Sequence, residues 1–389
     1  MPEGSYDLVP GRATAKGTRD YVARYSEEIP ESHYSEFLKT RMRLSSLGVG
    51  TFPGDASAET DAKVAAIVSQ ALQGGINVID TAAHYRYGRA LAAVGAGVRD
   101  ATAKGIPREA MFLVSKGGFV TFRGGPPEDP DAWFEREIAA SGMGAREDLA
   151  NGVHLISPEY INYQIELSRS LIGVETLDAF LVDQPEVHIP VIGKERLNQK
   201  LEKVFQVLER AVADGRIGCY GLATFHGARA ETDDPLFQSL TSMQGLAARA
   251  AREVRGEEGA RHHFRIVTLP YNQVMLEGFT RFNVATGEGN VASTIQAAWQ
   301  LKVYVMASHT MLKGHLAERA AEIVERMLPD LTPAQRALQF NRSTPGLGTA
   351  LVGLSRPQHL DDLLVVARMP PLEKKVFLSM FKKAEDAGI

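Results

Sequence analysis

The chain has 389 residues, 44% of them apolar, and 43 Lys+Arg against 47 Asp+Glu leave a net charge of −4. That balance offers no electrostatic footprint for nucleic acid or an anionic membrane, and no stretch is long and apolar enough for a membrane-spanning helix. One cysteine, Cys219, excludes an internal disulfide, so the expectation is a soluble cytoplasmic protein with neither nucleic acid nor membrane as partner.

Residues 1–40 mix charges with aromatic side chains and read as an arm laid over a domain. Beyond Leu44, short apolar runs alternate with amphipathic blocks. LGVGTF (47–52) supplies a first strand or a cap. INVID (76–80), MFLVSK (111–116), LDAFLVD (177–183), GCYGLAT (218–224), RIVTLP (265–270), VYVMAS (303–308) and TALVGL (349–354) follow. Rich in Val, Ile and Leu and lacking a polar face, they fit strands covered on both sides in a parallel sheet. Helical spacing appears at 59–75, 88–104, 157–172, 195–215, 291–301 and 357–368, and 371–388 reads as a terminal helix between Pro371 and Gly388. Eightfold alternation predicts an α/β fold, a (β/α)8 TIM barrel over 41–389 or a long doubly wound sheet. Two segments break the rhythm: 117–150, with RGGPPEDPD, and 226–262, charged and Ala-rich. On the catalytic face of a barrel both are long loops that can form lids or substrate walls.

Barrels concentrate chemistry at the C-terminal ends of their strands. There the runs turn polar: Asp80 with Tyr85 five positions on, Lys116 closing the third run, and Asp183 closing the fourth. A free phenol is too weak an acid at neutral pH. A lysine ammonium at hydrogen-bonding distance favours phenolate and lowers that pKa, and an aspartate keeps the ammonium charged and placed. Such a set can protonate a developing alkoxide or enolate while hydride arrives from a cofactor.

DTAAHY (80–85), VSKGG (114–118), LDAFLVDQPE (177–186), RIGCYGLATF (216–225), LPYN (269–272) and TPGLGTALVGLSRPQHL (344–360) resemble, in collinear order, the aldo-keto reductase superfamily. Within it they are similar to a bacterial subgroup with an N-terminal arm and long loops. The resemblance implies the (β/α)8 barrel and an NAD(P)H-dependent carbonyl reductase site with NADPH as cofactor. It assigns Asp80, Tyr85 and Lys116 to the family's Asp, Tyr and Lys, with Tyr85 as proton donor.

At the family's fourth catalytic position, a histidine, this chain carries Asp183. A carboxyl donates a hydrogen bond only when protonated, which requires burial or a second carboxylate to raise its pKa. Asp80 and Asp183 beside one lysine titrate as a coupled group. Steroid double-bond reductases of the superfamily carry a glutamic acid there, so the resemblance implies a conjugated enone rather than a simple aldehyde as substrate.

The positions that hold the nicotinamide carboxamide in the family read Ala223, Thr224 and Thr268 here. The last βα loop offers Gly353, Ser355, Arg356, His359 and Asp362, with Arg356 suited to a 2′-phosphate and Ser355 to a helix N-terminus. These departures keep a second reading open. In it the fold has lost redox chemistry and runs a cofactor-independent elimination, isomerisation or cyclisation of specialised metabolism, or binds a small molecule without turnover.

Other features carry two readings each. His84, Arg86 and Arg89 line a pocket or are helix-start charges, Glu186 and His188 form an acid–base pair or a loop ion pair, and Trp133 and Phe134 gate a substrate or pack a loop. His262-His263 has no partner at metal-ligand spacing, so no metal is expected.

Overall fold

Eight parallel strands close on themselves in the computed structural model, which describes residues 8–287 and 290–381. They are β1 (Leu47–Gly50), β2 (Val78–Asp80), β3 (Phe112–Gly117), β4 (Leu177–Asp183), β5 (Ile217–Ala223), β6 (Phe264–Pro270), β7 (Tyr304–Ser308) and β8 (Thr349–Gly353). Closure is made by β8 on β1, with Leu351 opposite Gly48 and Val352 opposite Val49. The barrel helices are α1 (Ala58–Gln73), α2 (Arg89–Ala103), α3 (Pro158–Ile172), α4 (Lys194–Ala213), α5 (Leu240–Arg255), α6 (Thr294–Gln300), α7 (Pro333–Arg342) and α8 (Pro357–Ala367). This is the (β/α)8 architecture, not a doubly wound sheet.

The two-residue period of a strand decides which side chains enter the barrel. Val78, Phe112, Val114, Ala179, Leu181, Cys219, Ile266, Met306 and Leu351 share one buried cluster, the barrel lumen. Alternate residues such as Val49, Ile79, Leu113, Phe180, Val182 and Leu222 pack outward in the larger core with the helices. Two positions beyond the lumen residues, the next inward side chains are Asp80, Lys116, Asp183 and Thr268. Lumen parity therefore stacks the polar strand-end residues in one upper layer.

The arm closes the opposite end. Its helix (Ala15–Arg24) is capped by the Thr14 side chain, and Tyr34–Glu36 pairs antiparallel with Arg43–Ser45. Phe37 drops beneath the lumen, its ring 5.2 Å from Phe112 and 5.1 Å from Tyr304. Asp178, buried in β4, receives Ala13 N at 2.7 Å and the Arg108 guanidinium at 2.7 Å, tying arm to barrel.

Several segments differ from the reading of the sequence. The stretch 226–262 is not a long loop: it holds α5, whose inward face is Leu240, Met243, Leu246, Ala247, Ala250 and Ala251. Half of that face is alanine among arginines, which hides the apolar stripe. Helix α7 escaped the periodicity as well, although a capping box between Thr332 and Gln335 starts it. The block 291–301 opens as a strand, Asn290–Ser293, paired antiparallel with Phe282–Gly287 before α6 begins. The terminal helix spans Lys374–Ser379, and 382–388 of its expected range lie outside the described residues. The excursion 117–150 contains a short helix (Pro130–Phe134) and a strand, Leu149–Ala150, that pairs with His154–Leu155. Its own small core includes Val120, Phe134, Ile138 and Leu155, and Trp133 packs edge-on against Phe122 at 4.8 Å. Trp133 and Phe134 thus pack the loop. Among the described residues no helix is long and apolar enough to cross a membrane.

Candidate active site

The loop after β2 carries Tyr85 back over the barrel mouth because it continues the sheet along β3: Thr81 N donates to Val114 O and Ala83 N to Lys116 O. Lys116, inward on β3, donates to Asp80 Oδ2 at 2.7 Å, to Thr81 O at 2.9 Å and to Tyr85 Oη at 3.2 Å. Its ammonium thus has a carboxylate, a carbonyl and a phenol as partners, while Asp80 Oδ1 is enclosed without a hydrogen bond. Phe52, on the loop after β1 and 63% exposed, meets the Tyr85 ring edge-on at 5.1 Å. Nothing in its own sequence context marked Phe52; only its place after the first strand could have.

Strain holds this loop. Arg86 and Tyr87 take the left-handed conformation (φ 47° and 59°), followed by Gly88 at φ 87°. Buried Arg86 donates to Thr51 O at 2.8 Å and to Pro53 O at 3.2 Å and reaches Asp61 at 3.4 Å; Arg89 pairs with Asp61 at 2.6 Å. Arg86 therefore clamps the β1 loop to the Tyr85 loop and is neither a pocket-lining charge nor a solvated one.

Electrostatics divide the group. Burial pushes the Tyr85 hydroxyl up, and the two aspartates add to that; Lys116 pulls the other way without reversing it. The expected lowering of the phenol pKa by lysine is thus outweighed, and Tyr85 stays protonated. Lys116 is held above its ordinary value by Asp80, Tyr85 and Asp183 despite its burial. Burial also raises Asp80, against the pull of Lys116. Asp183 is pushed up to about 7, by burial first and then by Asp80 and Glu186, against Lys116. Its carboxyl is buried at the mouth and pairs with no cation within 4 Å among the described residues.

What holds Asp183 is its backbone. His154 Nε2 lies 2.7 Å from Asp183 O, and His154 Nδ1 lies 3.0 Å from His188 Nε2. A carbonyl only accepts, so His154 carries its proton on Nε2 and accepts from His188 through Nδ1. Burial drives the two imidazoles down, to about 3 and about 4. Gly118 (φ 134°) lies against this contact: a Cβ there would stand 2.6 Å from His154 Nε2 and 3.0 Å from Asp183 O. Glu186 forms neither pair expected of it. Its Oε1 accepts from the backbone N–H groups of Phe225, His226 and Gly227, at 2.6, 2.9 and 3.3 Å, shaping the loop after β5. The role of His154 could not be read from sequence, because the excursion delivers it.

The expected cofactor positions divide. Thr268 faces the lumen with its Oγ1 enclosed and unbonded, a polar atom that a carboxamide would satisfy. Thr224 lies beside it, its N donating to Thr268 O, with its hydroxyl accepting from Ala228 N at 3.3 Å. Ala223 contributes only a methyl group and a carbonyl that takes Gln184 N. At the end of β8, Gly353, Arg356 and His359 are exposed and Ser355 is half-buried, and no ion pair engages Arg356 among the described residues. Asp362 is instead committed to Gln335 at 2.8 Å, at the start of α7. Leu363 is core. Lys313, exposed at the end of β7 in a left-handed turn with His309 and Leu312, is a further cation that sequence reasoning passed over. The residues present fit a dinucleotide, with an unsatisfied hydroxyl for its amide and free cations for its phosphates.

Among the described residues no group of His, Cys, Asp or Glu could hold a metal ion. Burial raises the Cys219 thiol to about 12, leaving it unreactive. A cleft of about 550 Å³ lined by Gly144, Ser157, Lys200 and Lys203 lies on the outer side of the excursion, apart from Tyr85.

The barrel thus carries Lys116 and two carboxyls in its upper lumen layer, with Tyr85 brought over them on the loop after β2. The model of the Aldo/keto reductase family matches residues 46–385, and the chain belongs to that family. Among solved structures, it is similar to an aldo/keto reductase from Klebsiella pneumoniae in complex with NADP and acetate, with 17% identity, TM-score 0.56, and 90% of this chain and 94% of that one covered. It is also similar to the holo form of an aldo-keto reductase from Bacillus halodurans, with 16% identity, TM-score 0.59, and coverage of 89% and 95%. No curated protein matches its sequence.

Proposed function

We propose that the protein is a cytoplasmic NADPH-dependent reductase of a small carbonyl- or enone-containing metabolite, with Tyr85 as proton donor. The observation that carries this reading is the Asp80–Lys116–Tyr85 chain of hydrogen bonds at the mouth, 2.7 and 3.2 Å long. Bound NADPH supplies the hydride. Thr268 and Thr224 hold its carboxamide, and Ser355, Arg356 and His359 take its phosphates. Tyr85, kept protonated by burial, gives its proton to the substrate oxygen as negative charge develops there. Lys116 then faces the phenolate at hydrogen-bonding distance and stabilises it, and Asp80 keeps the ammonium in place. Asp183, protonated below about pH 7, donates to the same oxygen and favours an enone, whose reduction places negative charge on that oxygen.

Titration with NADPH and NADH, followed by intrinsic fluorescence and thermal shift, tests the cofactor. Binding at a hundredfold excess over Kd stabilises the fold by roughly 2.7 kcal/mol. Tyr85→Phe should keep that binding and abolish reduction. Asp183→His should move preference from a matched enone toward the aldehyde. Absence of any response to either dinucleotide would transfer the site to the redox-free reading.

A further inference from the structure

The imidazole beside the tyrosine is unassigned by anything above. His84 immediately precedes Tyr85, and its ring stands edge-on to the Tyr85 ring at 4.8 Å. Its other face lies against Phe119 at 4.6 Å, and Phe119 in turn leans on His154. This packing fixes the ring. Of its two nitrogens, Nδ1 is enclosed and without a partner. The residue as a whole is only half-buried, and Nε2, unlike Nδ1, is not among the enclosed atoms without a partner.

The proton's place follows from this asymmetry. A proton on Nδ1 would be a sealed donor with no acceptor, whereas on Nε2 it can reach water or a bound ligand. Burial, reinforced by the charge of Lys116, drives the imidazole down to about 3, so it is neutral across the working range. A neutral ring with its N–H outward, locked against the proton donor, is a hydrogen-bond donor in search of an acceptor.

We infer that His84 is a catalytic residue, its Nε2–H donating to the substrate oxygen beside the Tyr85 hydroxyl. This rests on the reading of Tyr85 as the proton donor. The imidazole transfers no proton: it adds a fixed donor to the oxygen that takes the phenol's proton, and the three lone pairs of the developing oxyanion admit it beside Tyr85 and Asp183. A substrate with one uncharged carbonyl oxygen fits the pair. The donor differs from Asp183 in its independence of pH. Above pH 7 the Asp183 carboxyl ionises and ceases to donate, and His84 remains.

The test uses the full chain, NADPH and 2-cyclohexenone. His84→Phe should lower kcat about 100-fold, the scale of one lost oxyanion donor, with KM changed little. His84→Gln, which restores an N–H, should recover at least about tenfold of that loss, and the deficit of His84→Phe should be greater at pH 9 than at pH 6. A His84→Phe enzyme within threefold of wild type at both pH values would overturn the assignment. Independently of turnover, 15N NMR of histidine-labelled wild-type protein should show His84 as the neutral Nε2–H tautomer at pH 7, with the Nε2 resonance moving on addition of 2-cyclohexenone. An Nδ1–H tautomer, or a resonance unmoved by saturating enone, would equally overturn it. A protein that reduces no carbonyl compound but shows this NMR response would sink the reductase reading and leave the His84 site standing.

Discussion

The Lys116 ammonium lies 3.2 Å from the Tyr85 hydroxyl and yet leaves the phenol more reluctant to ionise than in water. Burial and two carboxyls outweigh one cation, so the resting tyrosine is a neutral phenol rather than a partial phenolate. In the proposed mechanism the lysine acts after proton transfer.

Lys116 is also a structural counterion. Lys116→Met leaves Asp80 buried with neither cation nor hydrogen bond at Oδ2, and should cost roughly 3–5 kcal/mol of stability by urea denaturation. Replacing both, Asp80→Leu with Lys116→Met, should recover most of that loss while activity stays absent. A double variant as unstable as the single one would show that the pair does not compensate itself.

Arg86 and Tyr87 should respond in opposite directions. Arg86→Ala strands the carbonyls of Thr51 and Pro53 and should destabilise by about 2 kcal/mol. Tyr87→Gly relieves a side chain held at φ 59° and should be neutral or stabilising by up to about 1 kcal/mol. Chemical denaturation of both variants checks the signs.

Asp183 should make stability fall as pH rises. Its folded pKa of about 7 exceeds its ordinary 3.8, so between those values the folded chain binds more protons than the unfolded one. Its contribution is complete below about pH 4 and is lost as pH climbs through 7. Asp183→Asn mimics the protonated carboxyl: it should match wild type at pH 4 and exceed its Tm at pH 8. Equal Tm values at both pH values would refute a raised carboxyl.

The buried imidazoles should act with the opposite sign. His84 and His154 sit near 3 and His188 near 4, below the unfolded value of about 6.5. On acidification the unfolded chain takes up their protons first, so stability falls from pH 6.5 toward 4. With His33, His262 and His309 also held below their ordinary value, six histidines against the raised Asp80 and Asp183 make the net slope in this window unfavourable to acid. Thermal melts across pH 4–7 should show Tm dropping on the acid side, and His154→Phe should flatten part of that drop.

Much of this was legible in the chain. LDAFLVD (177–183) is β4 residue for residue, because a doubly covered strand must be apolar until it surfaces, and where it surfaces Asp183 stands. Asp80 and Lys116 are readable on the same rule. Helix α5 was not, since alanines bury well in a helix but give a weak signal among arginines. Arg86 looked like any helix-start charge, although it is buried at the heart of the loop clamp.

The order of apolar runs and polar strand ends, a local property of residue type and period, determined the eightfold β/α alternation and its polar strand ends by sequence alone, while closure of β8 on β1 excluded the doubly wound sheet only in three dimensions. Tertiary structure decided everything that depends on distance and burial. His154 comes from an excursion about thirty residues upstream to grip the Asp183 backbone, Arg86 ties two loops together, and His84 has its Nδ1 enclosed without a partner. Whether lysine or burial governs Tyr85 belongs to this second set, because desolvation and Coulomb attraction compete through separations and solvent access that no local spacing encodes.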